Sequence, residues 1–207
     1  MEAAMARSAT TARLASFFVL LPVLAALVLF DAAPAAAAHH GPRASLTARV
    51  VFTDAFSYKT RATLERKWKP FGSLYNITPW KPRDGAVVHI PSGNNEQSEL
   101  WTKTVIDLRS AAKATLKVRA KWKLDKPAQD TFIVFVSRKT SQGWDDNDVY
   151  HVGGTSGGKW RLRSIDISAF AGSQIKVAVA VSTGTADPYW FKTRGAQVDS
   201  IKVIAYR

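Results

Sequence analysis

The 207-residue chain reads as an all-β protein, a two-sheet antiparallel jelly-roll sandwich preceded by a signal peptide. Three observations predict this. Short stretches that alternate apolar and polar residues with period two are separated by turn residues rather than by amphipathic helices, the pattern of packed antiparallel sheets. An apolar-Asp step recurs where such stretches end, in Val105-Ile106-Asp107-Leu108, Ser164-Ile165-Asp166-Ile167 and Gln197-Val198-Asp199-Ser200. Residues 1–38 carry the composition of an export signal.

In that leader Arg7 and Arg13 form a basic region, residues 14–30 are almost wholly apolar, and Ala36-Ala37-Ala38 supplies the small residues a signal peptidase needs. The apolar run falls short of the roughly 20 residues that span a bilayer, so cleavage is expected and the mature form has no membrane span. Residues 39–47 read as a flexible lead-in and 48–207 as a single sandwich domain, a monomer outside the cytoplasm, secreted to the extracellular space or the periplasm. The leader holds Arg7, Arg13, Glu2 and Asp31, two charges of each sign, so the formal charge of +13 belongs to the folded domain. There is no cysteine, which excludes disulfides, thiol nucleophiles and thiolate metal sites.

Strand signals begin at residues 49–53. Residues 55–83 are irregular and rich in aromatics and prolines, and read as a long covering loop with one helical turn near 62–68, packed by Trp68, Trp80 and Trp101. Strands are then expected at 86–90, 99–105, 114–124, 131–137, 160–165, 174–182 and 197–205. In 114–124, Leu116, Val118, Ala120, Trp122 and Leu124 share one face while Lys117, Arg119, Lys121 and Lys123 share the other. In 174–182, Ile175, Val177, Val179 and Val181 form an apolar face. The run Phe132-Ile133-Val134-Phe135-Val136 does not alternate and is expected in mid-sheet with both faces covered.

Several of these segments, in order, resemble the immune-inhibitor-A-like, MAM-like domains of secreted peptidases and surface proteins. They are Phe52-Thr53-Asp54-Ala55-Phe56, the Asp107 step followed by Ala114-Thr115-Leu116, Gln142-Gly143-Trp144, the stretch from Trp160 to Gly172, and Val198-Asp199-Ser200-Ile201. The resemblance implies a jelly roll with a binding, adhesion or peptidase-accessory role. It also marks Asp54 and Asp199 as a pair that paired terminal strands would bring together, a candidate site for structural calcium, which takes hard oxygen ligands.

Gly154-Thr155-Ser156-Gly157-Gly158 resembles the nucleophile segment of trypsin-like proteases, but the domain offers only His89 and His151 as bases, and a glycine turn is the expected role. A hydrolase is therefore the least supported reading, and no enzyme is expected. The acidic cluster Asp145-Asp146-Asn147-Asp148 lacks the spacing of a calcium loop. Two surfaces remain as binding candidates. Trp144, Tyr189 and Trp190 offer flat rings on which a carbohydrate can stack. Lys117, Arg119, Lys121 and Lys123, with Arg161 and Arg163 on a neighbouring strand, offer a basic face for an anionic polymer. The partner is accordingly a glycan or an anionic cell-surface polymer, with no sequence-specific nucleic acid.

Overall fold

The computed structural model describes residues 45–72, 78–80, 87–91, 97–124, 129–184 and 195–207. The leader, its cleavage region and the Tyr189-Trp190 loop lie outside the described residues. The elements are β1 (Ala48–Asp54), α1 (Arg61–Lys67), β2 (Trp68–Phe71), β3 (Thr78–Trp80), β4 (Val87–Pro91), β5 (Gln97–Thr102), β6 (Ile106–Asp107), β7 (Lys113–Lys123), β8 (Thr131–Thr140), β9 (Gly143–Val152), β10 (Arg161–Asp166), β11 (Gln174–Ser182) and β12 (Gly195–Tyr206).

They form two antiparallel sheets. Sheet 1 runs β10-β7-β12-β4-β3, and β1 lies beside the later part of β12. Sheet 2 runs β2-β5-β11-β8-β9, and β6 lies beside the start of β11. Strand β12 is the centre of sheet 1: β7 follows one side of it, while β4 and then β1 share the other. Among the described residues no helix is long and apolar enough to cross a membrane.

The core lies between the sheets and follows from the alternation. From β7, Leu116, Val118, Ala120 and Trp122 are buried, and from β11, Ile175, Val177, Val179 and Val181. Trp122 of sheet 1 stacks on Phe132 of sheet 2 with ring centroids 5.9 Å apart. Burying each large side chain contributes about 1.5–3 kcal/mol, enough for a chain without disulfides to hold its fold.

The segment expected as one covering loop is more ordered than its composition suggests. Thr60 caps α1, accepting from the Thr63 N–H at 3.3 Å while Thr63 Oγ1 accepts from the Thr60 N–H at 3.2 Å. The chain then enters β2 with Trp68 fully buried. Trp68 Nε1 donates to Asp54 Oδ2 at 3.1 Å, the Phe56 N–H donates to Oδ1 at 2.8 Å, and the Tyr58 hydroxyl donates to Oδ2. Burial, and then this carboxylate, push the Tyr58 phenol well above its ordinary range.

Two expectations are corrected. The Phe132–Val136 run does lie inside a sheet, between β11 and β9, but only one of its faces is fully covered, and Ile133 and Phe135 are half-buried on the outer side. The acidic cluster is no loop, because Asp145–Asp148 belongs to the edge strand β9.

Candidate functional site: an aromatic cleft on the outer face of sheet 2

Residues directly opposite on neighbouring strands share a face, so the pairings show which side chains sit together. On the outer side of sheet 1, Lys117 stands opposite Lys202, Lys121 opposite Gln197 and Arg119 opposite Ser200. Arg161 and Arg163 do not extend this stripe. They pair with Ala120 and Val118, and so belong to the opposite face; Leu162 and Ser164 are the outward residues of β10. Arg163 lies over the rings of Trp122 and Tyr150 instead. The stripe is also partly neutralised and covered. Arg119 Nη1 pairs with Asp199 Oδ2 at 2.8 Å, and Trp160 lies 4.9 Å from Arg119 and 4.8 Å from Lys121, ring centroid to charge.

The terminal strands do pair, yet Asp54 and Asp199 do not meet. Asp54 stands opposite the buried Ile201 and points inward to Tyr58 and Trp68, whereas Asp199 sits at a bulge in β12 and turns outward to Arg119. Among the described residues no three His, Asp or Glu side chains cluster as a metal would need. Ser156 of the glycine turn is a structural residue. Its Oγ accepts from the Trp122 N–H at 3.2 Å, its own N–H donates to the Trp122 carbonyl at 2.9 Å, and it is 4% exposed. His151 faces Asp148 at 2.9 Å, on the strand and away from Ser156's partners.

The outer side of sheet 2 is different in kind. A cleft of about 540 Å³ opens there, lined by Lys69 and Phe71 of β2, Glu99, Trp101 and Thr102 of β5, Lys103, Lys176 of β11, Ser137 of β8, and Trp144 and Asp146 of β9. That size is typical of small-molecule and saccharide sites. Its floor follows from one register row, in which Lys176 pairs with Ser137 and Ser137 with Asp146, and in the adjoining row Trp101 pairs with Ala178, which pairs with Phe135. Alanine in the middle strand leaves room for the two rings to meet above it, with centroids 6.0 Å apart and planes at 21°. Trp101 Nε1 donates to Glu99 Oε2, and Gln97 Nε2 donates to Glu99 Oε1, so the carboxylate orients the indole. At the rims Phe71 is 41% and Trp144 is 39% exposed. Lys69 lies 4.4 Å from the Phe71 ring and Lys176 4.5 Å from the Trp144 ring.

Gly72 fixes the β2 rim. It has φ 86°, and a Cβ there would lie 1.8 Å from the Gln97 carbonyl oxygen, so the backbone can pass β5 only without a side chain.

Among the described residues, Trp144 of the expected aromatic platform and Asp146 of the acidic cluster line this cleft. Trp101, expected to pack a loop, lines it too, and so does Phe71, which was not anticipated there. The alternation of Gln97–Thr102 carried the signal, since burying Leu100 turns Glu99 and Trp101 outward together.

No family model matches the chain, and no curated protein matches it. Solved structures do. The K1 cleaved adhesin domain of Lys-gingipain from Porphyromonas gingivalis W83 is 15% identical, with 76% of this chain and 97% of that one covered, at TM-score 0.50. The K2 cleaved adhesin domain of the same protein is 18% identical over 73% of this chain and 98% of that one, at 0.46. A xylan-binding module, CBM15, is 11% identical over 78% and 97%, at 0.44. At such identities the likeness is one of fold, and the first of these supports the two-sheet antiparallel sandwich.

Proposed function

We propose that the chain is a secreted, non-catalytic binding module that takes a glycan in the cleft of sheet 2. The observation that carries this reading is the Trp101 ring. It stacks against Phe135 on the same side of the sheet and is bonded at its edge to Glu99, so that a flat apolar group borders a cleft also lined by carboxylate, amine and hydroxyl groups. A pyranose has the complementary chemistry, with C–H faces that stack on an indole and hydroxyls around the rim that exchange hydrogen bonds with charged groups. A ring already braced loses little freedom on binding, which favours affinity.

Isothermal titration of the chain against a panel of soluble plant, microbial and animal polysaccharides tests the proposal. At least one member should bind, and Trp101→Ala, with its fold checked by circular dichroism, should abolish that binding. Full retention of binding by Trp101→Ala overturns the assignment to this cleft.

A further inference from the structure

Three amines line the cleft, and stacking alone gives them no role. Lys69, Lys103 and Lys176 share it with Glu99 and Asp146, yet none of the three forms an ion pair among the described residues. Glu99 is turned toward Trp101 and Gln97. Lys176 rests on the Trp144 ring.

Beside these amines is a hydroxyl without a partner. Ser137 is 2% exposed and borders the cleft, and its Oγ makes no hydrogen bond. A buried polar group left unpaired is destabilising, so a ligand that supplied the missing bond would recover that cost. Ser137 pairs across β8 with Lys176 on one side and with Asp146 on the other. Lys103 stands at the end of β5, on the same cleft wall as Trp101.

We infer that the sugar bound here is anionic, its carboxylate or sulfate held by Lys103, Lys176 and the Ser137 hydroxyl while its ring lies on Trp101. This rests on the glycan reading of the cleft and narrows it. Two ammonium groups and an O–H are all donors, the set an anionic oxygen takes and a sugar hydroxyl matches only in part. Asp146, across from Ser137, serves the neutral hydroxyls of the same sugar.

The energetics select the same ligand. A cation resting on a half-exposed indole is held more weakly than one hydrogen-bonded to an anionic oxygen. An anion therefore draws Lys176 off Trp144 and frees that ring for a second sugar unit. A neutral sugar lacks the charge to do so.

The decisive probes share a backbone and differ in charge: polygalacturonate against its fully methyl-esterified form, and dextran sulfate against dextran, titrated at 0.15 M salt as the order of physiological screening. The wild-type chain should bind at least one charged polymer about ten-fold more tightly than its uncharged counterpart. Lys103→Met and Lys176→Met should each shrink that ratio to about three-fold or less, and Ser137→Ala should shrink it by a smaller factor. Equal binding of charged and uncharged forms, both lost in Trp101→Ala, overturns the anionic preference and leaves the glycan cleft standing. Charged-polymer binding that survives Trp101→Ala overturns both. If Lys117→Glu with Lys121→Glu removes the preference while Lys103→Met keeps it, the charge is being read by sheet 1 and this inference fails.

Discussion

The two outer faces of the sandwich are built from one alternation and end up as opposites. On sheet 1 the outward positions of β7 are long cations, and the neighbouring positions on β12 are Lys202, Ser200 and Gln197. The outcome is a partly self-neutralised stripe in which Asp199 and Trp160 engage Arg119. On sheet 2 the middle strand β11 places Ala178 and Ala180 outward, and the rings of β5 and β8 close over the first of them. The cleft opens beside that closed row, over Lys176 and Ser137, and the difference teaches that which side chains strand order sets together decides where a sheet face stays open. Charge count alone would have chosen the other face.

The widest gap between the faces should appear with Trp101→Ala against Trp160→Ala. Removing a braced central indole costs about 2 kcal/mol or more, about a thirty-fold loss of glycan affinity by calorimetry. Trp160→Ala should change it by less than about two-fold. Comparable losses from both would erase the distinction.

Next in size is Gly72→Ala, which forces a methyl group against the Gln97 carbonyl at a left-handed φ. A destabilisation of about 1–3 kcal/mol is expected in urea unfolding, together with weaker glycan binding because Phe71 adjoins the disturbed turn. Unchanged midpoint and affinity would remove Gly72 from the cleft's support.

Lys202→Glu should move the other way. Like charges directly opposite on two strands repel, and Lys117 faces Lys202, so the substitution should raise stability by about 0.2–1 kcal/mol without weakening the sheet 2 site. A loss of stability would mean that the basic stripe is already balanced by its surroundings.

The smallest effects are expected where the two sheets are alike. Asp107 on sheet 2 accepts the Arg109 N–H at 3.0 Å and Asp166 on sheet 1 accepts the Ser168 N–H at 2.9 Å, the same turn after each apolar-Asp step. The Arg109 side chain lowers the Asp107 carboxyl to about 2, and the Ser168 hydroxyl and N–H hold Asp166 below its ordinary value. A lowered carboxyl contributes stability that is present above about pH 4 and is lost as pH falls through its folded value. Asp107→Asn should therefore slightly flatten the fall in melting temperature between about pH 4 and pH 2, and Asp166→Asn should act in the same direction below about pH 4. If only one of them did, the shared turn would not be a shared device.

What could be read from the sequence was set by how strongly one face excludes water. In β7 and β11 every second residue is apolar and buried, so strand and core face were both visible. Strand β9 has exposed or half-buried residues throughout and carries four consecutive polar side chains from Asp145 to Asp148, so no period-two signal marked it as an edge strand. Strand β2 is four residues long and contains Pro70, too short and too irregular to show alternation. The recurring Asp steps were legible as strand ends, and Asp107 and Asp166 close their strands as expected; Asp199 follows a different course because a bulge turns it toward Arg119. The cleft itself is lined by Trp101, Lys176, Ser137 and Asp146, which come from four strands and become neighbours only through strand order.

The place of β12 at the centre of sheet 1 also sets an order of events. All strands of sheet 2 precede Thr183, so that layer and its cleft can assemble as soon as β11 has emerged during synthesis. Sheet 1 at that moment is only a β10-β7 pair, a β3-β4 pair and a lone β1, because every link between them runs through residues 195–206. Until that strand arrives, the apolar inner side of sheet 2 has no complete partner layer, and the nascent chain stays open to chaperones.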